Sequence, residues 1–126
     1  MYEDSDNIPP EPKDEPGKVS DFSSYQADAY TTALAESRNL PYMALGLAGE
    51  AGEVANKVKK IIRDNEGQLT EQVKQDLKKE LGDVLWYIAG ACTVAGLDLQ
   101  DVADANLAKL FDRKDRDALR GSGDNR

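Results

Sequence analysis

The chain has 126 residues, 40% apolar and 32% charged, which suits one soluble domain with a single core. Its net charge of −8 argues against a binder of the nucleic-acid backbone, which needs a basic patch, but not against a small phosphorylated ligand bridged by metal ions. The absence of histidine excludes Ser-His-Asp and Cys-His centres and His-ligated zinc, and counts against a di-iron bundle. Carboxylates and lysines remain, the groups that work with hard cations such as Mg²⁺.

Residues 1–19 hold four of the five prolines and six acids, and are expected to form a disordered or extended arm. Residues 20–126 are expected to form the folded domain. From Ser20 the sequence turns helical, with Phe22, Tyr25, Ala29 and Ala33 at helical spacing, until Asn39-Leu40-Pro41 breaks it. A second helix is expected from about Pro41 to Arg63, opened by Pro41 and followed by a turn at Asp64–Gly67. Thr70 is a good N-cap for a third, about Glu71 to Ala95, which Gly96 ends. Asp98 caps a fourth, running to about Leu119, and GSGDNR closes the chain. No stretch alternates as a strand would, so the expected fold is all-α: four helices packed nearly antiparallel, bundle-like. One cysteine, Cys92, excludes an intramolecular disulfide and fits a reducing compartment. No apolar run reaches the roughly 18 residues that span a bilayer, and no signal peptide is read, so no membrane partner and a cytoplasmic location are expected.

One pattern occurs twice. EAGEV (Glu50–Val54) and ELGDV (Glu80–Val84) each read acid, any residue, glycine, acid, valine, inside apolar stretches of the second and third helices. Glu50 and Glu53 lie along one edge of an apolar face made by Leu47, Ala51, Val54, Val58, Ile61 and Ile62. Glu80 and Asp83 lie along the same edge of the face made by Val73, Leu77, Leu81, Val84, Ile88, Ala91 and Ala95. The i, i+3 spacing puts each pair on one side of its helix. Two such helices packed together would converge four carboxylates, which is unfavourable beside a core unless a cation offsets them. The plain alternative is a solvated face. The repetition, and the two glycines Gly52 and Gly82, argue against it, because glycine inside a helix weakens it by roughly 1 kcal/mol relative to alanine. Their presence is easier to understand where a ligand or another backbone comes close. Lys57 and Tyr87 each sit a further turn along, in matching positions.

GLAGEAGEVANKVKK followed by KKELGDVLWYIAG resembles the MazG family of nucleotide pyrophosphohydrolases, in the all-α NTP pyrophosphatase group, whose mark is ExxE on one helix and ExxD on the next. NLAKLFDRK (Asn106–Lys114) resembles the family's Asn-x-x-Lys-x-x-x-Arg element, and GSGDNR the tail of its small phage and bacterial members. The resemblance covers about residues 20–126. It implies a Mg²⁺-dependent cleavage of nucleoside triphosphates between the α and β phosphates, giving a nucleoside monophosphate and pyrophosphate, with Mn²⁺ as a possible substitute. Glu50, Glu53, Glu80 and Asp83 would hold the metal, and Glu53 would act on the attacking water, with Glu50 beside it. Lys57, Asn106, Lys109 and Arg113 would grip phosphate. Tyr87 would contact the nucleotide, Trp86 would pack or stack on the base, and Gln26 would read the base or sugar edge. Purine substrates, (d)GTP first, are favoured by analogy alone. The tail is expected to fold over a nucleotide site, its own or that of a neighbouring subunit. A single small domain is short of core, so a homo-oligomer is expected, a dimer or a tetramer. The rival reading is a non-catalytic helical module that uses its acid rows for subunit contacts.

Overall fold

The structure, a computed structural model, describes residues 17–126. The expected arm over residues 1–19 lies, apart from its last three positions, outside the described residues. Four α-helices follow in order: α1 (Phe22–Tyr30), α2 (Leu40–Asn65), α3 (Glu71–Val94) and α4 (Leu99–Asp115), with a 3₁₀ turn at Ala35–Ser37 between α1 and α2. Among the described residues there is no strand.

Every α-helix opens on a side-chain cap. Asp21 accepts from the Ser24 amide at 2.7 Å, Asn39 from Tyr42 at 2.9 Å, Thr70 from Val73 at 3.2 Å and Asp98 from Gln100 at 3.0 Å. Each such cap stabilises its helix by about 1 kcal/mol. α2 ends where Glu66 and Gly67 take left-handed φ angles of 54° and 77°, two residues beyond the expected Arg63.

Two ends differ more from expectation. α1 stops at Tyr30 instead of running towards Pro41. Thr31 and Thr32 turn their hydroxyls back onto the carbonyls of Asp28 and Ala29, at 2.6 and 2.7 Å. Such back-bonding by β-branched residues competes with the helical ladder. The Trp86 indole N–H also donates to the Ala29 carbonyl and to Thr32 Oγ1, pinning the break to α3. α4 ends at Asp115, four residues before Leu119. There Asp117 adopts φ 55° and the Ala118 amide reaches back to the Arg113 carbonyl at 2.6 Å. The chain reverses, and the tail lies back along α4.

The antiparallel α2–α3 hairpin is the largest contact in the fold. Its register is visible in matched steps: Met43 lies against Gly90, Gly46 against Tyr87, and Glu50 among Glu80 and Asp83. A β-carbon at 90 would come within 2.5 Å of the Met43 sulfur, and one at 46 would clash with three carbons of the Tyr87 ring at 2.0–2.5 Å. These glycines set the close approach of the helices. Gly52 and Gly82, expected to do so, have nothing within 4 Å of where a β-carbon would stand. A small second core joins α1, α3 and α4: Ala89, Cys92 and Leu99, packed by Tyr25, Leu85 and Ile88.

The enclosed core is thin. Met43 is the one large side chain with less than 2% exposure. The expected apolar face of α2 proves to be two faces. Leu47, Val54 and Ile61 turn towards α3, whereas Ala51, Val58 and Ile62 are exposed. With Ala44, Ala48 and Ala55, also exposed, they make a bare seam at steps of four and three along α2. On α3, Leu81 is likewise half exposed.

Candidate metal and phosphate site

The hairpin register decides which acids meet. Glu50 points from α2 at the third helix, where Glu80 and Asp83 stand one turn apart. One carboxylate oxygen from each of the three lies within 4.8 Å of the others. Glu50 and Glu80 are half-buried and Asp83 is exposed, so the cluster opens to solvent on one side. The Glu50 carboxyl is pushed above its ordinary range, first by desolvation and then by the charges of Asp83, Glu80 and Glu53. The mutual repulsion is of the kind that a bound cation would relieve. The donor set, carboxylate oxygens only, fits a hard divalent ion. Glu53 is exposed and is not one of the three converging acids, though its charge is felt by Glu50.

Two tyrosines border the acids. The Tyr87 phenol is shifted upward by partial burial and then by Tyr42, Glu50 and Asp83, and its ring lies over Gly46. Tyr25 on α1 is shifted upward by burial and then by Asp83. It also lines an open cleft of about 500 Å³ with Phe22, Leu85 and Gln100. Tyr25 was not singled out from the sequence; only its place four residues before Ala29 on the core side of α1 marked it.

Trp86 meets Tyr87 edge-on, with ring centroids 4.9 Å apart, while its N–H is held by α1 as described. Gln26 is buried. Its Nε2 donates to Thr93 Oγ1 and the Leu97 carbonyl, at 3.1 and 2.9 Å, and its Oε1 accepts from the Leu99 amide at 2.8 Å. The amide hydrogens therefore tie α1 to the last turn of α3 and to the turn that follows it, and neither is left to read a nucleotide edge. Lys57 is half-buried and faces a small cleft of about 140 Å³ with Lys60, Asp64, Val73 and Asp76.

The fourth helix carries a second cluster. Asn106 is exposed. Lys109 Nζ and Arg113 Nη2 both bind Asp124 Oδ1, at 3.1 and 3.2 Å. Arg113 is 3% exposed, the one buried arginine or lysine among the described residues. Thus the tail does fold back, and what it covers is the Lys109–Arg113 pair.

The MazG nucleotide pyrophosphohydrolase domain family matches residues 39–116, which include every acid of the cluster and the Asn106–Arg113 element. Among curated proteins, the Gene 37 protein of Mycobacterium phage L5 is 53% identical over 87 residues, covering 69% of this chain and 76% of that protein. The uncharacterized protein YvdC of Bacillus subtilis (strain 168) is 40% identical over 80 residues, covering 58% of this chain and 74% of its own. No solved structure matches. Among the described residues, no helix is long and apolar enough to cross a membrane. With a family match over most of its helical residues, the chain belongs to the MazG nucleotide pyrophosphohydrolases.

Proposed function

We propose that this protein hydrolyses nucleoside triphosphates between the α and β phosphates, releasing a nucleoside monophosphate and pyrophosphate in the cytoplasm. The observation that carries the reading is the meeting of Glu50, Glu80 and Asp83 from the two repeated pentads within 4.8 Å. A divalent cation such as Mg²⁺ or Mn²⁺, bound there, would neutralise the polyphosphate and make water more acidic. Glu53 is a turn from Glu50, exposed, and outside the converging three, which leaves it able to take the proton of the attacking water. Water supplies the new P–O bond, the anhydride bond breaks, and pyrophosphate leaves. No nucleophilic side chain and no histidine is needed.

Tyr87 is the best-supported nucleotide contact, because its phenol borders the acids and its ring is fixed over Gly46. Lys57, Asn106, Lys109 and Arg113 are assigned to phosphate. Trp86 and Gln26 are assigned to holding α1 in place, on the strength of their hydrogen bonds. Purine nucleotides, dGTP first, are the substrates to try first.

The protein is proposed to work as a homo-oligomer, dimer or tetramer. The support is the bare seam of Ala44, Ala48, Ala51, Ala55, Val58 and Ile62, whose steps of four and three are those of a helix that packs on another helix. Small residues there allow close packing.

Incubation with each NTP and dNTP plus Mg²⁺, with products resolved, tests the reading. Pyrophosphate with monophosphate is expected. Orthophosphate, or no product from a folded protein, would favour the non-catalytic module.

A further inference from the structure

The tail and the phosphate assignment of α4 compete for the same atoms. Arg113 Nη2 donates to the Gly123 and Asp124 carbonyls, at 3.5 and 2.9 Å, besides the Asp124 carboxylate. Its side chain is 4% exposed because the tail lies on it, whereas the Asp124 side chain is 82% exposed. A ligand anion cannot reach Arg113 while Asp124 is in place. We infer that Lys109 and Arg113 form an anion site which the chain's own Asp124 fills in the free protein, and that a di- or triphosphate displaces the tail to take both cations. The inference rests on the proposed function in assigning Lys109 and Arg113 to phosphate and in naming a polyphosphate as the anion; what it adds is the part played by Asp124.

Three observations support displacement over a permanent brace. Gly121 and Gly123 both precede Asp124, at φ 118° and 83°, so the backbone leading to it turns at residues with no side chain to restrict other φ values. The charged part of the lock is one exposed carboxylate, whose pair with Lys109 is open to water and therefore weak; the remaining ties are hydrogen bonds from Arg113 and Arg116 to tail carbonyls. The closed tail is also imperfectly satisfied: Arg126 Nε is buried with no hydrogen-bond partner, although Nη1 and Nη2 of the same side chain bind the Gly123 and Leu119 carbonyls. Leaving the surface would hydrate that donor. The charge of the segment suits an anion as well. From Lys109 to Arg126 six lysines and arginines stand against four aspartates, in a chain whose net charge is −8. A polyphosphate brings several charges to a site now neutralised by one.

The test is titration calorimetry of the full chain with inorganic pyrophosphate, in buffer free of divalent metal. Asp124→Asn should bind pyrophosphate about five-fold tighter than the wild type, the factor that loss of an exposed competing ion pair allows, and Lys109→Ala should bind it more weakly. Equal or weaker binding by Asp124→Asn would overturn the inference. Amide spectra of the wild type provide a readout that needs no variant. Pyrophosphate should move the Gly123 and Asp124 signals towards those of free chain. Saturable binding that leaves them unmoved would equally overturn it. Tighter binding by Asp124→Asn together with a wild type that cleaves no nucleotide would uphold the anion site and overturn the enzymatic reading.

Discussion

Tyr87 of α3 lays its ring over Gly46 of α2, and one turn further along the same hairpin Glu50 meets Asp83. The first contact sets the register that produces the second. A side chain at 46 would have to push Tyr87 aside. Gly46→Ala should therefore lower stability by about 1–3 kcal/mol, the range for overpacking a tight contact, and reduce hydrolysis as the acids move. Gly82→Ala has open space and should raise the stability of the protomer by up to about 1 kcal/mol through helix propensity. Urea unfolding of the two variants beside the wild type checks the contrast.

Metal-free protein should respond to pH in a defined direction. The folded Glu50 carboxyl titrates above its ordinary value of 4.5, because desolvation and three neighbouring acids oppose its charge. A raised folded value means that its stabilising contribution is fully present below the unfolded value and is lost as pH rises through the folded one. Without divalent ions, the melting temperature should thus fall as Glu50 ionises. Glu50→Gln should remove that step, raise the metal-free melting temperature near pH 7, and abolish stabilisation by added Mg²⁺. Fluorimetric melts across pH, with and without Mg²⁺, read all three effects. A pH step unchanged in Glu50→Gln would assign it elsewhere.

Gln26 supports the fold from a buried position, and its loss should show as instability. Gln26→Leu strips partners from the Leu99 amide and the Leu97 carbonyl, and each buried polar group left unpaired costs about 1–3 kcal/mol. A loss of about 2–4 kcal/mol in urea unfolding is expected, with the KM of the surviving activity unchanged. A raised KM at unchanged stability would return Gln26 to the substrate.

The seam on α2 should be needed for assembly. Ala51→Glu places a charge in its middle. Light scattering should show a smaller assembly than wild type, with helical circular dichroism retained. An unchanged mass would move the interface elsewhere, the exposed Phe111 and Leu107 on α4 being the next surface to test.

Much of the fold was legible because it is written in local signals. Thr70 and Asp98 announced their helices, and Asn39-Leu40-Pro41 the break before α2. The doubled pentads announced that acids would meet, and Glu50, Glu80 and Asp83 do. What escaped depended on contacts distant in sequence. Ala29 and Thr32 gain a partner on α3, the Trp86 indole, that no local pattern displays, so α1 looked longer than it is. Helical periodicity revealed that α2 is apolar but not that its apolar residues divide between a filled face and a bare one. The glycines were visible, yet only the register shows that Gly46 and Gly90, and not Gly52 and Gly82, lie where α2 and α3 press together. Gln26 looked like a polar group awaiting a ligand, because its partners, Thr93, Leu97 and Leu99, are some 70 positions away.

The central claim, that the two pentads jointly hold a divalent ion, is tested most directly by Mn²⁺ titration of isotopically labelled protein followed by paramagnetic broadening. At substoichiometric Mn²⁺, broadening should centre on the signals of Glu50, Glu80 and Asp83, reach Tyr87, and vanish from all of them in Asp83→Ala. Broadening scattered over exposed acids such as Glu71 and Asp112, or a pattern untouched by Asp83→Ala, would contradict it.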